Sequence, residues 1–588
     1  MRHAECCFLR GGGWTGPCGV MTMSAPFADR IDMQHRLFAE LSEMFGREVP
    51  LYDKSLLVNR VTNRAACDLL ALVHPGFAIT DEQIHKTSGE RHGAIRIGRP
   101  DEYRWVARFF ACFAMEPHNF YDMANVGTRS QPIVATAFRS VMNPEHRVFC
   151  SLLLTDSFDD ETTARIEGVL AQRSVFPDGA KALIEKAETC GGLDGDEAAE
   201  LIRAGTDRIF KWTGRARDYP LFKRLSDDGF KIAADIACFE SHHLNHLTPN
   251  TFCMDLYTAA MKHCMGLMDR DTFVARASTA LERLAGRSDG HSMRLLFRHL
   301  SAGDAAALGR ARPRPGAIAD IVGALADRLA RPDLALRDLD HAGFKDSTEG
   351  PSEDTPVLLR QDAYRALTEP VVFTNPDGST TNASHTARFG EIEQRGYATT
   401  AKGCTLYDAC LLAFESVRHD LGPEADHETI ERSQATCFAR FPKTLPELID
   451  QELVYARYEP TEAGLAAAGT IETTDPAELV RLGYARFEGQ RYEDFLPVSA
   501  AGIFASNLNQ YGTRTASNKK PTHSREKLEE ILGRPIVEAN RMYAGVQADS
   551  VLHTLDRLGV LHRLDAAERA RLESDAEPLR PFSEAHSG

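Results

Sequence analysis

Apolar residues recur at near-helical spacing from Phe27 to about Phe45. Ile31, Met33, Leu37, Phe38, Leu41 and Met44 mark one side and Asp29 is placed to cap, which predicts an entry helix. A second helix is predicted from Asp101 to Met115, where Tyr103, Trp105, Val106, Phe109, Phe110 and Phe113 make a broad apolar face. Short runs rich in strand formers lie around it: Gly93 to Gly98, Pro132 to Arg139, and Arg147 to Leu154. Residues 160–235 read as helical with a break at Gly191-Gly192, and residues 403–456 read as helical again. Sheet-like sequence lies between them at Pro356 to Gln361 and Ala387 to Ile392. The predicted class is α+β, a small irregular sheet decorated by long helices.

Residues 265–340 change character. Ala, Arg, Leu and Asp dominate, as in Ala305-Ala306-Ala307-Leu308 and Ala324-Leu325-Ala326-Asp327, so this stretch is expected to be a helical insertion. Its basic patch, Arg310 to Arg314, reads as a solvated turn rather than a polyanion contact. Four further segments are expected around it. Residues 1–22 form a disordered tail, with Met21 or Met23 a plausible start; 23–264 and 341–540 form the two parts of one catalytic domain; and 541–588 form a helical C-terminal segment and tail.

With 588 residues, 43% hydrophobic and 26% charged, the chain is long enough to bury a deep site in an ordinary globular core. A formal charge of -16 opposes nonspecific attraction to polyanions, so no nucleic-acid partner is expected. No run approaches the roughly 18 apolar residues that span a bilayer, so no membrane partner is expected either. The 13 cysteines are an odd number, scattered and without a Cys-x-x-Cys pair. That predicts reduced thiols in the cytoplasm rather than a disulfide framework or a structural zinc site.

Three separated motifs carry the chemistry: Arg91-His92-Gly93-Ala94-Ile95-Arg96, His242-His243-Leu244-Asn245-His246-Leu247-Thr248-Pro249 and Arg388-Phe389-Gly390-Glu391-Ile392-Glu393-Gln394-Arg395-Gly396. Two histidines and a carboxylate on one face bind a divalent iron and leave coordination positions open. If residues 92–97 form a strand, His92, Ala94 and Arg96 face one side, a ligand and a carboxylate-gripping guanidinium over one cavity. His242 and His246 have the spacing of a zinc peptidase pair, but the glutamate that chemistry needs is His243 here. The proline-bounded His246 suits a strand-borne ligand, with His242 and His243 as neighbours or orienting groups. Glu391 and Glu393 share a strand face, and either could reach a metal. Two adjacent buried carboxylates repel, so the other should pair with a cation such as Arg388 or Arg395. Taken singly, each motif also has a structural reading: a satisfied core histidine, a structural ion pair, a surface strand.

With Asp494-Phe495-Leu496-Pro497-Val498-Ser499-Ala500-Ala501-Gly502-Ile503-Phe504 as a fourth motif, the set resembles the 2-oxoadipate dioxygenase/decarboxylase family in order and spacing, from about residue 30 to residue 540. The resemblance implies a vicinal-oxygen-chelate type β core, related to hydroxyphenylpyruvate dioxygenases, and a mononuclear Fe(II) site. It implies His92, His246 and Glu391 as metal ligands, with Glu391 selected because Phe389-Gly390-Glu391-Ile392-Glu393-Gln394-Arg395 is similar to the metal-site strand of hydroxyphenylpyruvate dioxygenases. Arg96 would hold a substrate carboxylate and Val498 and Ser499 would close over the substrate, with His92 also beside it. The implied reaction takes 2-oxoadipate and O2 to 2-hydroxyglutarate and CO2, as in lysine breakdown. The competing expectations are a dioxygenase of another 2-oxo acid, a zinc-dependent non-redox enzyme on the same ligands, and a non-catalytic binding protein.

Overall fold

Asp29 caps the first helix, Arg30–Glu48, by accepting from the backbone N–H groups of Ile31 and Asp32 at 2.8 and 3.0 Å, as the sequence predicts. The structure, a computed structural model, describes residues 26–125, 130–345, 347–422, 425–495 and 523–579. The expected tail over 1–22 lies outside them. The second predicted helix spans Pro100–Ala111, with proline in its first turn. It ends short of Met115 because Ala114 turns to a positive φ of 53°.

The strands in chain order are β1 (Arg91–Ile97), β2 (Glu116–Asp122), β3 (Ile133–Arg139), β4 (His146–Leu153), β5 (Arg215–Arg217), β6 (His246–Pro249), β7 (Leu359–Thr374), β8 (Thr380–Arg395), β9 (Ala456–Pro460) and β10 (Ala485–Gly489). Five form one sheet in the order β2-β3-β4-β1-β6, with β1 parallel to β4 and antiparallel to β6. Strands β5, β7 and β8 make a second sheet, and β9 and β10 a ribbon. The second sheet docks beside the first where Phe389 donates to the Asn245 carbonyl at 3.1 Å and Thr251 to the Glu393 carbonyl at 2.9 Å. The fold is thus mixed α+β, with small sheets among many helices.

Both faces of the five-stranded sheet are buried, and alternation divides them. Ile95 and Ile97 of β1, with Val148, Cys150 and Leu152 of β4, enter one core with the helices Arg30–Glu48, Pro50–Val73 and Pro100–Ala111. Ala94 of β1, with Phe149 and Leu153 of β4, enters a second core, shared with Ala363, Phe373 and Phe389 of the long hairpin and with the helix Lys231–Cys238. The chemistry-bearing residues lie on this second face.

Helices over residues 270–329 fill most of the expected insertion, and they are not set apart from the rest. Phe273, Leu281, Val322 and Leu325 are buried in the same core as Leu69, Leu70 and Val73 of the helix Pro50–Val73. Arg310 of the basic patch donates to the carbonyls of Ala285, Gly286 and Ser288, closing the end of the helix Arg270–Arg287. The cysteines among the described residues are free thiols, and no described helix is long and apolar enough to cross a membrane.

Candidate metal centre

His92, His246 and Glu391 come from three neighbouring strands, β1, β6 and β8. In the antiparallel register His246 sits opposite Ala94 and Thr248 opposite His92. The two histidines therefore stand two residues apart on one face, ring centroids 5.4 Å apart and nearly perpendicular. Glu391 reaches them from β8: its Oε2 lies 3.0 Å from His92 Nε2 and 3.5 Å from His246 Nε2, and it accepts from Thr248 Oγ1 at 2.9 Å. One donor atom from each of the three residues lies within 4.8 Å of the others. All three are buried.

The two glutamates of β8 are placed differently. Glu393 Oε2 meets the other ring nitrogen of His92, Nδ1, at 2.7 Å, and its carboxylate accepts from Arg147 at 3.0 Å and from Arg395 at 2.7 and 2.9 Å. Arg388 instead pairs with Glu48 and Glu369. Burial would raise the Glu393 pKa, but Arg395, His92 and Arg147 hold it far below the usual carboxylate range. Glu391 is likewise lowered, burial being outweighed by His246 and His92.

The residues fit a divalent cation. Burial holds the His246 pKa down to about 4, against the opposing pull of Glu391, so its imidazole is neutral and a competent ligand at pH 7. Burial opposes charge on His92 too, yet Glu393 and Glu391 outweigh it and raise its pKa; Nδ1 faces Glu393 and Nε2 faces Glu391, where a cation would take the place of a proton on Nε2. Glu391 Oε1 is a buried oxygen with no hydrogen-bond partner among the described residues. A carboxylate holding the far nitrogen of a ligating histidine is the usual supporting arrangement at metal sites.

Arg96 is brought to the same side as His92 by strand alternation, and its guanidinium is ion-paired with Asp235 of the helix Lys231–Cys238. Asp235 also meets His385 at 3.0 Å and His243 at 3.3 Å. These three also form a compact His/Asp group, but the charge of Arg96 already answers its carboxylate. His242 turns away to Glu102 at 3.2 Å. Phe495 walls the centre, its ring 4.9 Å from that of His92 and 5.4 Å from that of Phe149, and its carbonyl accepts from Tyr121 and Tyr492 at 3.1 and 3.0 Å. Val498 and Ser499 lie outside the described residues. Sequence reasoning missed Thr248, Arg147 and Asp235. Thr248 had a signal, since it follows His246 by two on a strand; Arg147 and Asp235 carry no local motif.

A sequence profile of 2-oxoadipate dioxygenase/decarboxylase matches residues 37–271 and 321–507. The chain belongs to the 2-oxoadipate dioxygenase/decarboxylase family. Its relatives of that name include a Pseudomonas putida protein, 32% identical over 517 residues (86% of this chain, 92% of the relative), and an Escherichia coli protein, 29% identical over 522 residues (87% and 95%). The crystal structure of the hydroxyglutarate synthase from Pseudomonas putida in complex with 2-oxoadipate aligns with a TM-score of 0.62 at 30% identity, covering 90% of this chain and 99% of that one. The 2-oxoadipate dioxygenase/decarboxylase profile passes over residues 272–320, so most of the helical insertion falls in the gap.

Proposed function

We propose that this chain is an Fe(II)-dependent dioxygenase that converts 2-oxoadipate and O2 to 2-hydroxyglutarate and CO2, a step of lysine breakdown, in the cytoplasm. The observation that carries the reading is the convergence of His92, His246 and Glu391 in a chain whose relatives are named for that reaction. Two imidazoles and one carboxylate are the donor set that suits non-haem Fe(II) with open positions. When bound there, iron supplies a Lewis-acid and redox centre at which a 2-oxo acid and O2 meet.

In this reading His92, His246 and Glu391 hold the metal, and Glu393 fixes the His92 ring by its far nitrogen. Arg96, aimed by Asp235, grips the carboxylate of the substrate remote from the reacting end and sets the length of acid accepted. Phe495 and Phe149 keep water from one side of the centre. Val498 and Ser499 close over the substrate, partly through backbone. The strands that carry these residues form a vicinal-oxygen-chelate type core. Free thiols support a reducing compartment.

The test is to load the protein with Fe(II) and 2-oxoadipate without oxygen, admit air, and measure O2 uptake, CO2 release and 2-hydroxyglutarate together. Equal amounts of all three, lost in His246→Ala, are expected. Turnover with Zn(II) and no O2 uptake overturns the oxygenase reading; iron binding with turnover of a different 2-oxo acid overturns only the substrate.

A further inference from the structure

A cavity of about 640 Å³ lies apart from the three metal-site donors, between the helix Gly290–Leu296, the ribbon β9–β10 and the helix Ala539–Arg557. Six arginines line it: Arg139, Arg294, Arg298, Arg457, Arg486 and Arg491. Its only lining carboxylates among the described residues are Glu488 and Glu493. In a chain of net charge -16 this is a marked local reversal of sign.

The carboxylates behind the wall do not balance it. Arg139 has Asp494 and Arg486 has Glu459. Arg294 is ion-paired with Glu488, which also stands opposite Arg457 in the ribbon. Arg298 and Arg491 both draw on Glu90, at 3.1 and 3.0 Å, and Arg298 also on Glu493 at 2.7 Å. Those two glutamates are shared with a further arginine, Arg147, at 2.7 and 2.8 Å. Among the described residues, five carboxylates thus answer the six arginines of the wall, and two of the five serve a seventh. The Nε atoms of Arg298 and Arg491 are buried without a hydrogen-bond partner among the described residues. Burial and the adjacent Arg298 guanidinium lower the pKa of Arg491, against the opposing pull of Glu90 and Glu493.

We propose that this cavity is a binding site for a compact polyanionic metabolite, one carrying clustered carboxylates or a phosphate. Guanidinium groups converging from several elements make forked hydrogen bonds to either group. The volume suits a small metabolite rather than a polymer.

The proposal is tested by calorimetric titration of the full-length, iron-loaded protein with inorganic phosphate and, in a second arm, with citrate, against sodium chloride at matched ionic strength. One saturable site per chain is expected in at least one arm, phosphate identifying a phosphorylated ligand and citrate a polycarboxylate. Arg457→Glu, at an exposed position on the rim, should weaken that binding about tenfold, whereas Arg270→Glu, on an exposed helix elsewhere, should leave it unchanged. Arg96→Ala should also leave it unchanged. No saturation beyond the chloride control, binding indifferent to Arg457→Glu, or binding lost in Arg96→Ala would each overturn the proposal, the last by assigning the anion to the metal centre.

Discussion

Glu393 Oε2 lies 2.7 Å from Nδ1 of His92, so the two carboxylates of β8 take opposite nitrogens of one imidazole. That contact fixes which nitrogen faces Glu391 and His246. Glu393→Gln keeps the shape and removes the charge. Its expected result is a loss of Fe(II) affinity of about 10 to 100-fold, with residual turnover at saturating iron. Glu391→Gln should abolish stable binding under the same conditions. Anaerobic Fe(II) titration of the two variants checks the ranking, and equal losses would remove the distinction between ligand and support.

Asp235 holds Arg96 while sharing its carboxylate with His243 and His385. Arg96→Ala should lower kcat/KM for 2-oxoadipate by about 1.5–3 kcal/mol, the range of a hydrogen bond to a charged group. It should barely alter kcat/KM for a 2-oxo acid that lacks the second carboxylate. Arg96→Lys should recover only part of the loss, because an ammonium cannot reproduce the fork. A uniform drop for both substrates would assign Arg96 to the structure of the sheet alone.

The metal-site motifs were legible because each is local. A period of two on β1 and β8 places His92 with Arg96 and Glu391 with Glu393 before any tertiary contact is known. Their convergence was legible only through the resemblance, since His246 and Glu391 are far apart in sequence. Strand β2 escaped notice because Pro117 and Asn119 disfavour a strand; it survives at the sheet edge, with a register shift where Asn119 takes φ 59°. The outer half of the β7–β8 hairpin escaped too. Residues 380–386 are polar and carry no apolar alternation, and their pairing is fixed across the Asn375-Pro376-Asp377-Gly378 turn. The arginines of the polyanion cavity come from four separated stretches, and no sequence window contains their convergence.

Two buried carboxyls should shape the pH dependence of stability in opposite senses. Burial would raise the pKa of Asp494, but Arg139, which it meets at 2.9 and 3.1 Å, holds it at about 2. A depressed folded pKa contributes stability that is present above the unfolded value of 3.8 and lost as pH falls through about 2. That contribution is about 2 kcal/mol, so Asp494→Asn should flatten the acid limb of the stability profile. Glu116 is pushed up to about 7, chiefly by burial. Its contribution is full below 4.5 and is lost as pH rises through about 7, so Glu116→Gln should stabilise the protein at pH 8 by about 1–2 kcal/mol and do little at pH 4. Urea unfolding at pH 2, pH 4 and pH 8 checks both, the lower pair reading Asp494 and the upper pair Glu116.

Gly390 sits between Phe389, whose ring lies 4.9 Å from that of His246, and Glu391. A Cβ there would lie 2.0 to 2.5 Å from the ring and hydroxyl of Tyr364, its partner across β7 and β8. Tyr364 is buried and cannot swing out into water. Gly390→Ala must therefore push β8 away from β7, which costs about 1–3 kcal/mol of stability and carries Glu391 with it. Fe(II) affinity should fall together with the melting temperature. Tyr364→Ala in the same chain opens the space the new methyl needs, so the double variant should lose less stability than the sum of the single losses. Strict additivity would mean that the strand accommodates the methyl without moving, and that the glycine beside Glu391 is not required by this contact.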